Sequence, residues 1–367
     1  MASLAVAPTI APISPPAPVP VGAPVPVAAP VPVAAPVPVA AAVLAPGPSS
    51  TVSSPPAPPP APAILAAIGF LYVLRLISLF LPWIYVTFLR PAKPLSRYGD
   101  WALITGATDG IGKAFTGKLA KKKINLVIVG RSQPKLEELA KELHSKYGVE
   151  VRFVVVDFTD DDLDGGLSRI SQRTADIHVG ILINNVGISY PYARFFHELD
   201  EKLTKNLLRV NIEVTTRMIQ LFLPSMLKHK RGAIINVGSG AGSVLPSDPL
   251  YTLYAATKAF VDQLSRSLYV EYKHSGIDVQ CQVPLYVATK MAKIRKASLA
   301  VPSPDTYATA GLKWVGYEPR CTPYWVHSIM WWLIQMIPEP IMDSVRLRSC
   351  LNIRKRGQAK EARSKAE

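Results

Sequence analysis

Downstream of Arg97 the chain alternates six short runs of aliphatic and β-branched residues with longer amphipathic stretches, and this rhythm restricts the fold more than any other feature. The runs occupy 101–105, 125–129, 151–156, 179–183, 233–237 and 278–283, and the longest stretches between them are 199–228 and 253–274. Continuous apolar runs of strand length mark strands buried on both faces. Their alternation with helical periodicity implies parallel pairing through crossover helices, so the expected fold class is α/β, a doubly wound parallel sheet. Each run ends in a turn carrying Gly, Asn, Asp or Pro, where such a sheet places its ligand groups.

The segments outside this pattern differ sharply in composition. Residues 1–62 hold 20 of the chain's 35 prolines, repeat Ala-Pro-Val-Pro-Val-Ala and contain no charged residue. Proline at this density removes helix and sheet hydrogen bonds, so 1–63 is expected to be a disordered, polyproline II-like head. A transit peptide is the competing reading, although such peptides are Arg-rich and this stretch has no arginine. The nearly unbroken apolar run that follows, over 64–90, is long enough to cross a hydrocarbon core of about 30 Å. It is expected to be a membrane anchor, with a helix lying in the interface or a re-entrant hairpin as the alternatives that Arg75 and Pro82 leave open. Arg90, Lys93 and Arg97 follow the run and no cation precedes it, which places the remainder of the chain on the cytosolic side.

The first β run leads into Thr105-Gly106-Ala107-Thr108-Asp109-Gly110-Ile111-Gly112 and then a helix. Glycines there allow a tight turn and close approach to a pyrophosphate, which the helix N-terminus then meets with its amides and dipole. Further on stand Asn184-Asn185-Val186-Gly187 after the fourth run, Asn211 within the next long helix, Ser239 closing the fifth run, and Tyr254-Ala-Ala-Thr-Lys258. Residues four apart share a helix face, so the Lys258 ammonium is expected to lie near the Tyr254 phenol and lower its pKa toward neutrality. Tyr254 would then serve as a general acid toward a carbonyl oxygen. Tyr251 has no lysine four residues on, and is read as lining a substrate entrance or packing in the core.

These elements, in this order, resemble the short-chain dehydrogenase/reductase family, whose glycine turn has the same Gly-x-x-x-Gly-x-Gly spacing. The resemblance implies a Rossmann-type reductase domain over 97–291. It also implies that Lys258 holds the nicotinamide ribose, that Ser239 hydrogen-bonds the substrate carbonyl, and that Asn211 orders a water leading from Lys258 to solvent. Gly106, Thr108, Asp109, Gly110, Ile111, Gly112, Asn185 and Gly187 are then cofactor-binding positions, together with Tyr254 and Lys258. The second run ends in Val129-Gly130-Arg131-Ser132 with no acid to bind ribose hydroxyls, so NADPH is the expected cofactor, with Arg131 and Ser132 at its 2′-phosphate. Asp157 is placed beside the adenine, and Val287 and Thr289, in a loop that lacks the family's Pro-Gly, beside the carboxamide.

The stretch 268–291, the segment Cys-Thr-Pro-Tyr-Trp-Val-His-Ser-Ile-Met beginning at Cys321 and the N-terminal apolar run are similar to the very-long-chain 3-oxoacyl-CoA reductases of fatty acid elongation, plant forms in particular. That implies reduction of a 3-oxoacyl-CoA to the 3-hydroxyacyl-CoA at the endoplasmic reticulum membrane. The partners implied are that membrane, a condensing enzyme, a dehydratase and an enoyl reductase. A 17β-hydroxysteroid dehydrogenase and a non-catalytic scaffold of the same complex are the other readings; the complete set of Asn211, Ser239, Tyr254 and Lys258 argues against the scaffold.

The formal net charge of +15 does not point to nucleic acid, because eight Lys or Arg against two Glu are gathered in a basic tail over 346–367. That tail suits an anionic membrane surface. Region 292–345 is expected to face substrate or membrane; its Trp-rich part, 325–337, reads as a docking helix, a tunnel wall or an interfacial anchor, and it offers no clean seventh strand. Lys290, Lys293, Arg295 and Lys296 are either CoA-phosphate contacts or a solvated face. The scattered Cys281, Cys321 and Cys350 and six histidines suggest neither disulfide framework nor metal.

Overall fold

The computed structural model describes residues 61–366, with side chains for 62–363. The chain divides into two units, Met1–Leu65 and Ala66–Glu367, and the first contributes only the opening of one helix to the described residues. The expected head therefore lies outside the described residues except for 61–63, which are helical.

Helix α1 (Ala61–Ile84) runs through Pro82 and passes into a π turn at Tyr85–Leu89, closed by the Arg90 amide donating to Tyr85 O at 2.7 Å. Pro82 has no N–H to offer the preceding turn, and the helix loses regular geometry within a turn of it. The apolar stretch Pro62–Leu89 counts 28 residues, and an 18-residue window within it has a mean hydropathy of 2.4. At 1.5 Å per residue it is about 40 Å long, more than the thickness of a hydrocarbon core. None of its apolar window is covered by the rest of the protein, and it is one rod with no hairpin.

The sheet that follows is built from β1 (Trp101–Thr105), β2 (Asn125–Gly130), β3 (Val151–Val155), β4 (Val179–Asn184), β5 (Gly232–Val237), β6 (Ile277–Gln282) and β7 (Arg320–Cys321). All pairs are parallel, in the order β3-β2-β1-β4-β5-β6-β7. The chain reverses direction of growth between β1 and β4, the position at which an open α/β sheet leaves a crevice above its carboxyl edge. The six expected strands form within a residue of their expected ends. The seventh is a correction: Arg320 and Cys321 pair with Cys281 and Gln282, too short a run to show any periodicity.

Side-chain alternation divides the core between the two faces of the sheet. Ala102, Ile104, Leu126, Ile128, Ile181 and Ile183 point to one face, covered by α2 (Gly110–Lys121), α3 (Gln133–Tyr147) and, further along, α9 (Pro304–Trp314). Leu103, Val127, Val129, Leu182 and Ile234 point to the other, covered by α4 (Leu163–Arg173), α6 (Val214–His229) and α8 (Thr252–Tyr272). Leu103, fully buried, illustrates the energetic scale: truncation to Ala costs about 2–5 kcal/mol.

The long helix expected over 199–228 is broken. Helix α5 (Glu201–Leu208) joins α6 through a π turn at Arg209–Glu213 that carries Asn211. Such single-turn π bulges cluster at functional positions. Helix α7 (Gly240–Ser243) is a single turn after β5, and α10 (Trp325–Gln335) and α11 (Glu339–Ala366) complete the chain.

Residues 346–367, expected as a basic tail on a membrane surface, form most of α11, one side of which packs on the domain. Arg346 bonds Asp248, Arg354 pairs with Glu198, and Tyr192 donates to Glu361 Oε2 at 2.6 Å. Of these partners Asp248 is buried, and its bond to Arg346 is a charge-assisted one that offsets the guanidinium's lost hydration.

Candidate active site

The carboxyl ends of β1, β4, β5 and β6 converge on one crevice. After β1, Gly106 and Gly110 take left-handed backbone angles, φ +65° and +54°. Gly112 packs so closely that a Cβ there would stand 2.3 Å from Gly106 O and 2.4 Å from Asn185 Nδ2. Asp109 caps α2 by accepting from its own neighbour's amide, Gly110 N, at 2.8 Å. Ile111 packs below, against both the main core and the cluster around buried Val287.

Asn185 spends its side-chain amide on this turn, donating to Thr105 O at 3.0 Å and Gly106 O at 3.2 Å. Its role in this structure is to hold the turn's shape. The Thr105 hydroxyl accepts from the amides of Asn185 and Val186, both at 3.1 Å, and so locks β1 to the loop after β4. Thr108 lies against Gly130 at the end of β2, 3.5 Å from where a Cβ would be. Arg131 is exposed beyond it, and Ser132 begins α3 without making a side-chain cap. Asp157 is exposed and closes a local turn by accepting from Thr159 N and Oγ1. Thr289 approaches Gly110 from the far side and accepts from Ala292 N at 3.2 Å. Lys290 pairs with Asp109 at 2.9 Å, so of the cations weighed for CoA phosphates this one already has a carboxylate partner at the glycine turn.

The second half of the crevice holds the four residues expected to carry chemistry. Ser239 follows β5 and accepts from Ala241 N at 3.2 Å, which orients its hydroxyl at the start of α7, beside the Tyr254 phenol. Lys258, one turn beyond Tyr254 on α8, is buried and donates to Val237 O at 2.9 Å. Asn211 is held by three bonds, accepting from Ile188 N at 2.9 Å and donating to Ile188 O and Thr257 Oγ1 at 3.0 Å. Gly187 separates them: a Cβ there would sit 3.3 Å from both Asn211 Oδ1 and Lys258 Nζ. Any larger residue at 187 would wedge these two side chains apart.

The electrostatics correct one expectation. Burial pushes the Tyr254 phenol above its usual value, with the Ser239 hydroxyl pulling the other way. Lys258 was expected to bring it down, but its ammonium is turned to the Val237 carbonyl. Burial in turn lowers Lys258 to about 8. Both shifts have one physical cause, a dry cleft that penalises charge on either group. The phenol is therefore protonated at neutral pH, the form a proton donor requires.

Sequence reasoning missed the loop that precedes α8 and the helix that pins it. Leu250 is buried with a left-handed φ of +63°, a conformation that costs a branched side chain roughly 1–3 kcal/mol and gathers near functional sites. Its carbonyl accepts from Arg194 N at 3.0 Å, and its side chain packs with Ala193 and Cys350 of α11. Tyr251 packs in the same cluster and stacks on Tyr190, whose hydroxyl accepts from Leu253 N at 3.0 Å. Asp248 in this loop is buried against Arg346. Nothing local in the sequence signals a contact between positions this far apart. Cys281, Cys321 and Cys350 are free and buried.

The residues fit a nicotinamide dinucleotide: a glycine cradle with no room for side chains at its base, a helix N-terminus facing it, and a protonated phenol and buried amine across the crevice. Comparison with known proteins agrees. The short chain dehydrogenase family model matches residues 100–299. A very-long-chain 3-oxoacyl-CoA reductase-like protein of Arabidopsis thaliana is 48% identical over 76% of this chain and 91% of its own. The Homo sapiens very-long-chain 3-oxoacyl-CoA reductase is 41% identical over 66% of this chain and 76% of its own. Among solved structures, a short-chain dehydrogenase from Sphingobium yanoikuyae in complex with NADPH matches with a TM-score of 0.53 at 32% identity, over 58% of this chain and 82% of that one. A 7β-hydroxysteroid dehydrogenase matches at TM-score 0.56 and 26% identity, over 61% of this chain and 87% of that one. With the crevice, the glycine turn and the relatives in agreement, the chain belongs to the short-chain dehydrogenase family of nicotinamide-dependent oxidoreductases.

Proposed function

We propose that the protein is an NADPH-dependent reductase of very-long-chain 3-oxoacyl-CoA, producing the 3-hydroxyacyl-CoA of microsomal fatty acid elongation. The observation that carries the chemistry is the Tyr254 phenol set beside the Ser239 hydroxyl at the carboxyl edge of the sheet, with burial holding it in its protonated form. The substrate class is supported by the curated relatives, whose names carry it at 41–48% identity.

NADPH, when bound, supplies the hydride. Its pyrophosphate would lie against Gly106, Gly110 and Gly112 at the head of α2, and its 2′-phosphate against Arg131 and Ser132. Lys258 would hold the nicotinamide ribose. Ser239 donates to the ketone oxygen and fixes its position over Tyr254. As negative charge develops on that oxygen, Tyr254 gives up its proton and the alcohol is complete. Lys258 then passes a proton from solvent to the phenolate, and Asn211 keeps the π turn and the Ile188 loop in place around it.

The exposed apolar helix α1 supports an anchor in the endoplasmic reticulum membrane with the catalytic domain on the cytosolic side, close to substrates whose acyl chains partition into lipid. The enzymes acting before and after it in elongation, a condensing enzyme, a dehydratase and an enoyl reductase, are its expected neighbours. The test is NADPH oxidation by microsomes bearing the full chain, supplied with either 3-oxostearoyl-CoA or a 17-ketosteroid. Turnover of the thioester is the expected result. Turnover of the steroid alone would reassign the substrate, and NADPH binding with no turnover of either would make the protein a scaffold.

A further inference from the structure

We propose that the elbow between α10 and α11, residues 332–351, is a second lipid-contacting surface that dips into the face of the bilayer holding α1. The inference rests on the membrane reading of α1 and adds to it a place where the acyl chain leaves the lipid.

Among the described residues beyond the apolar run ending at Leu89, sixteen large apolar side chains stand exposed, and eight of them fall within these twenty residues. A clustering of this kind marks an interaction surface, whereas singly exposed apolar residues need no explanation. Trp332, Leu333, Met336 and Ile337 share one face at the end of α10, and Ile341 and Val345 continue it one turn apart on α11. The inward side of the same elbow is fully used. Trp331 and Ile334 pack on Val244, Val261 and Val283, and Met342 is buried.

Two observations identify the occupant as lipid. The elbow is continuous with the anchor: Trp83 near the end of α1 donates to Ser328 on α10 at 2.6 Å, and Phe88 lies against Trp325 with ring centroids 6.2 Å apart. The charge beyond the elbow also fits, because α11 carries exposed Arg348, Lys355 and Arg356 and has no acid between Asp343 and Glu361. An apolar face with tryptophan at its edge and cations behind it is the pattern of a helix lying in an anionic interface. The next turn of α11 carries Arg346 to Asp248 and to the Tyr286 hydroxyl, beside the loop that leads to Tyr254. On this proposal an acyl chain enters past the elbow, between the anchor and the loop that leads to Tyr254.

The test uses the full chain in vesicles of phosphatidylcholine and phosphatidylserine. The native cysteines are buried, so a nitroxide can be attached selectively to Met336→Cys, to Leu79→Cys on α1 and to Val270→Cys on the exposed side of α8. Oxygen access exceeding that of an aqueous nickel chelate at 79 and 336, but not at 270, is expected. A lipid signal at 79 with a water signal at 336 would overturn the elbow and leave the anchor intact; a water signal at 79 would overturn the anchor reading separately. Protection of 336 in native microsomes but not in lipid vesicles would assign the face to a protein partner, and overturn the proposal. In a Met336→Glu, Ile341→Glu variant, the KM for a long-chain 3-oxoacyl-CoA should rise roughly tenfold while a short-chain one keeps its KM and kcat. Equal effects on both chain lengths would also overturn it.

Discussion

Asp248 and Arg346 lie 98 residues apart in sequence and meet in a buried ion pair, with Arg346 Nε donating to Asp248 Oδ1 at 2.7 Å. Burial raises the Asp248 carboxyl against the pull of the guanidinium, so the loop holding it depends on that partner. The same arginine reaches the Tyr286 hydroxyl at 3.1 Å, and α11 thereby ties together two loops that border Tyr254.

Arg346→Ala should therefore strand a buried carboxylate and cost about 3–5 kcal/mol. The double variant Asp248→Asn, Arg346→Met removes both charges and should recover most of that loss. Urea denaturation of the three proteins checks this. A single variant as stable as the parent would show that the pair does not hold the loop.

Lys258 is predicted to be a stability liability retained for function. Its pKa falls from the ordinary 10.5 to about 8 because the folded protein desolvates the ammonium. The unfolded chain therefore binds this proton more tightly, so this group's contribution to stability is present above about 10.5 and is lost as pH falls through about 8. Lys258→Met should be more stable than the parent at pH 7 by about 1–2 kcal/mol, after allowing for the lost bond to Val237 O, and should be inactive. Calorimetry at neutral pH with a parallel activity assay tests both halves. In the parent, kcat/KM for reduction should decline as pH rises through about 8, where the free enzyme loses the Lys258 proton.

Cofactor choice is predicted to reside at the end of β2. Arg131→Asp places a carboxylate where ribose hydroxyls would be bound and a phosphate repelled. The KM for NADPH should rise by roughly 10–100-fold and NADH should become the better donor. An unchanged preference in steady-state kinetics would locate the 2′-phosphate contact elsewhere.

Asn211→Ala should lose the three bonds that fix the Ile188 loop, at a cost of about 2–3 kcal/mol, and should widen the gap beside Gly187. Slower hydrogen exchange at Ile188 in the parent than in the variant would register the loop's release.

The sheet was legible in the sequence because its strands are buried on both faces, leaving continuous apolar runs that no helix of that length would show. Strand β7 was not legible, since its pairing depends on Pro319 O and Cys321 O meeting the edge of β6 and not on any pattern of its own. Asn211 was found through resemblance, and the π turn that presents it left no trace in residue type. The docking of α11 was hidden because its partners, Asp248, Glu198 and Tyr192, are remote in sequence, so a cluster of cations read as a basic tail for a membrane surface. Helix spacing correctly put Lys258 on the same side of α8 as Tyr254. It could not reveal that desolvation, and not the ammonium, dominates the phenol's pKa.

The central claim is that the Tyr254 phenol delivers the proton to the ketone oxygen. Its most direct test is single-turnover reduction of 3-oxostearoyl-CoA by Tyr254→Phe, with NADPH binding measured by fluorescence alongside. Loss of the single phenolic oxygen should slow the chemical step by roughly 10²–10⁴-fold while cofactor binding stays within a few-fold of the parent. A Tyr254→Phe protein that turns over as fast as the parent would contradict the account.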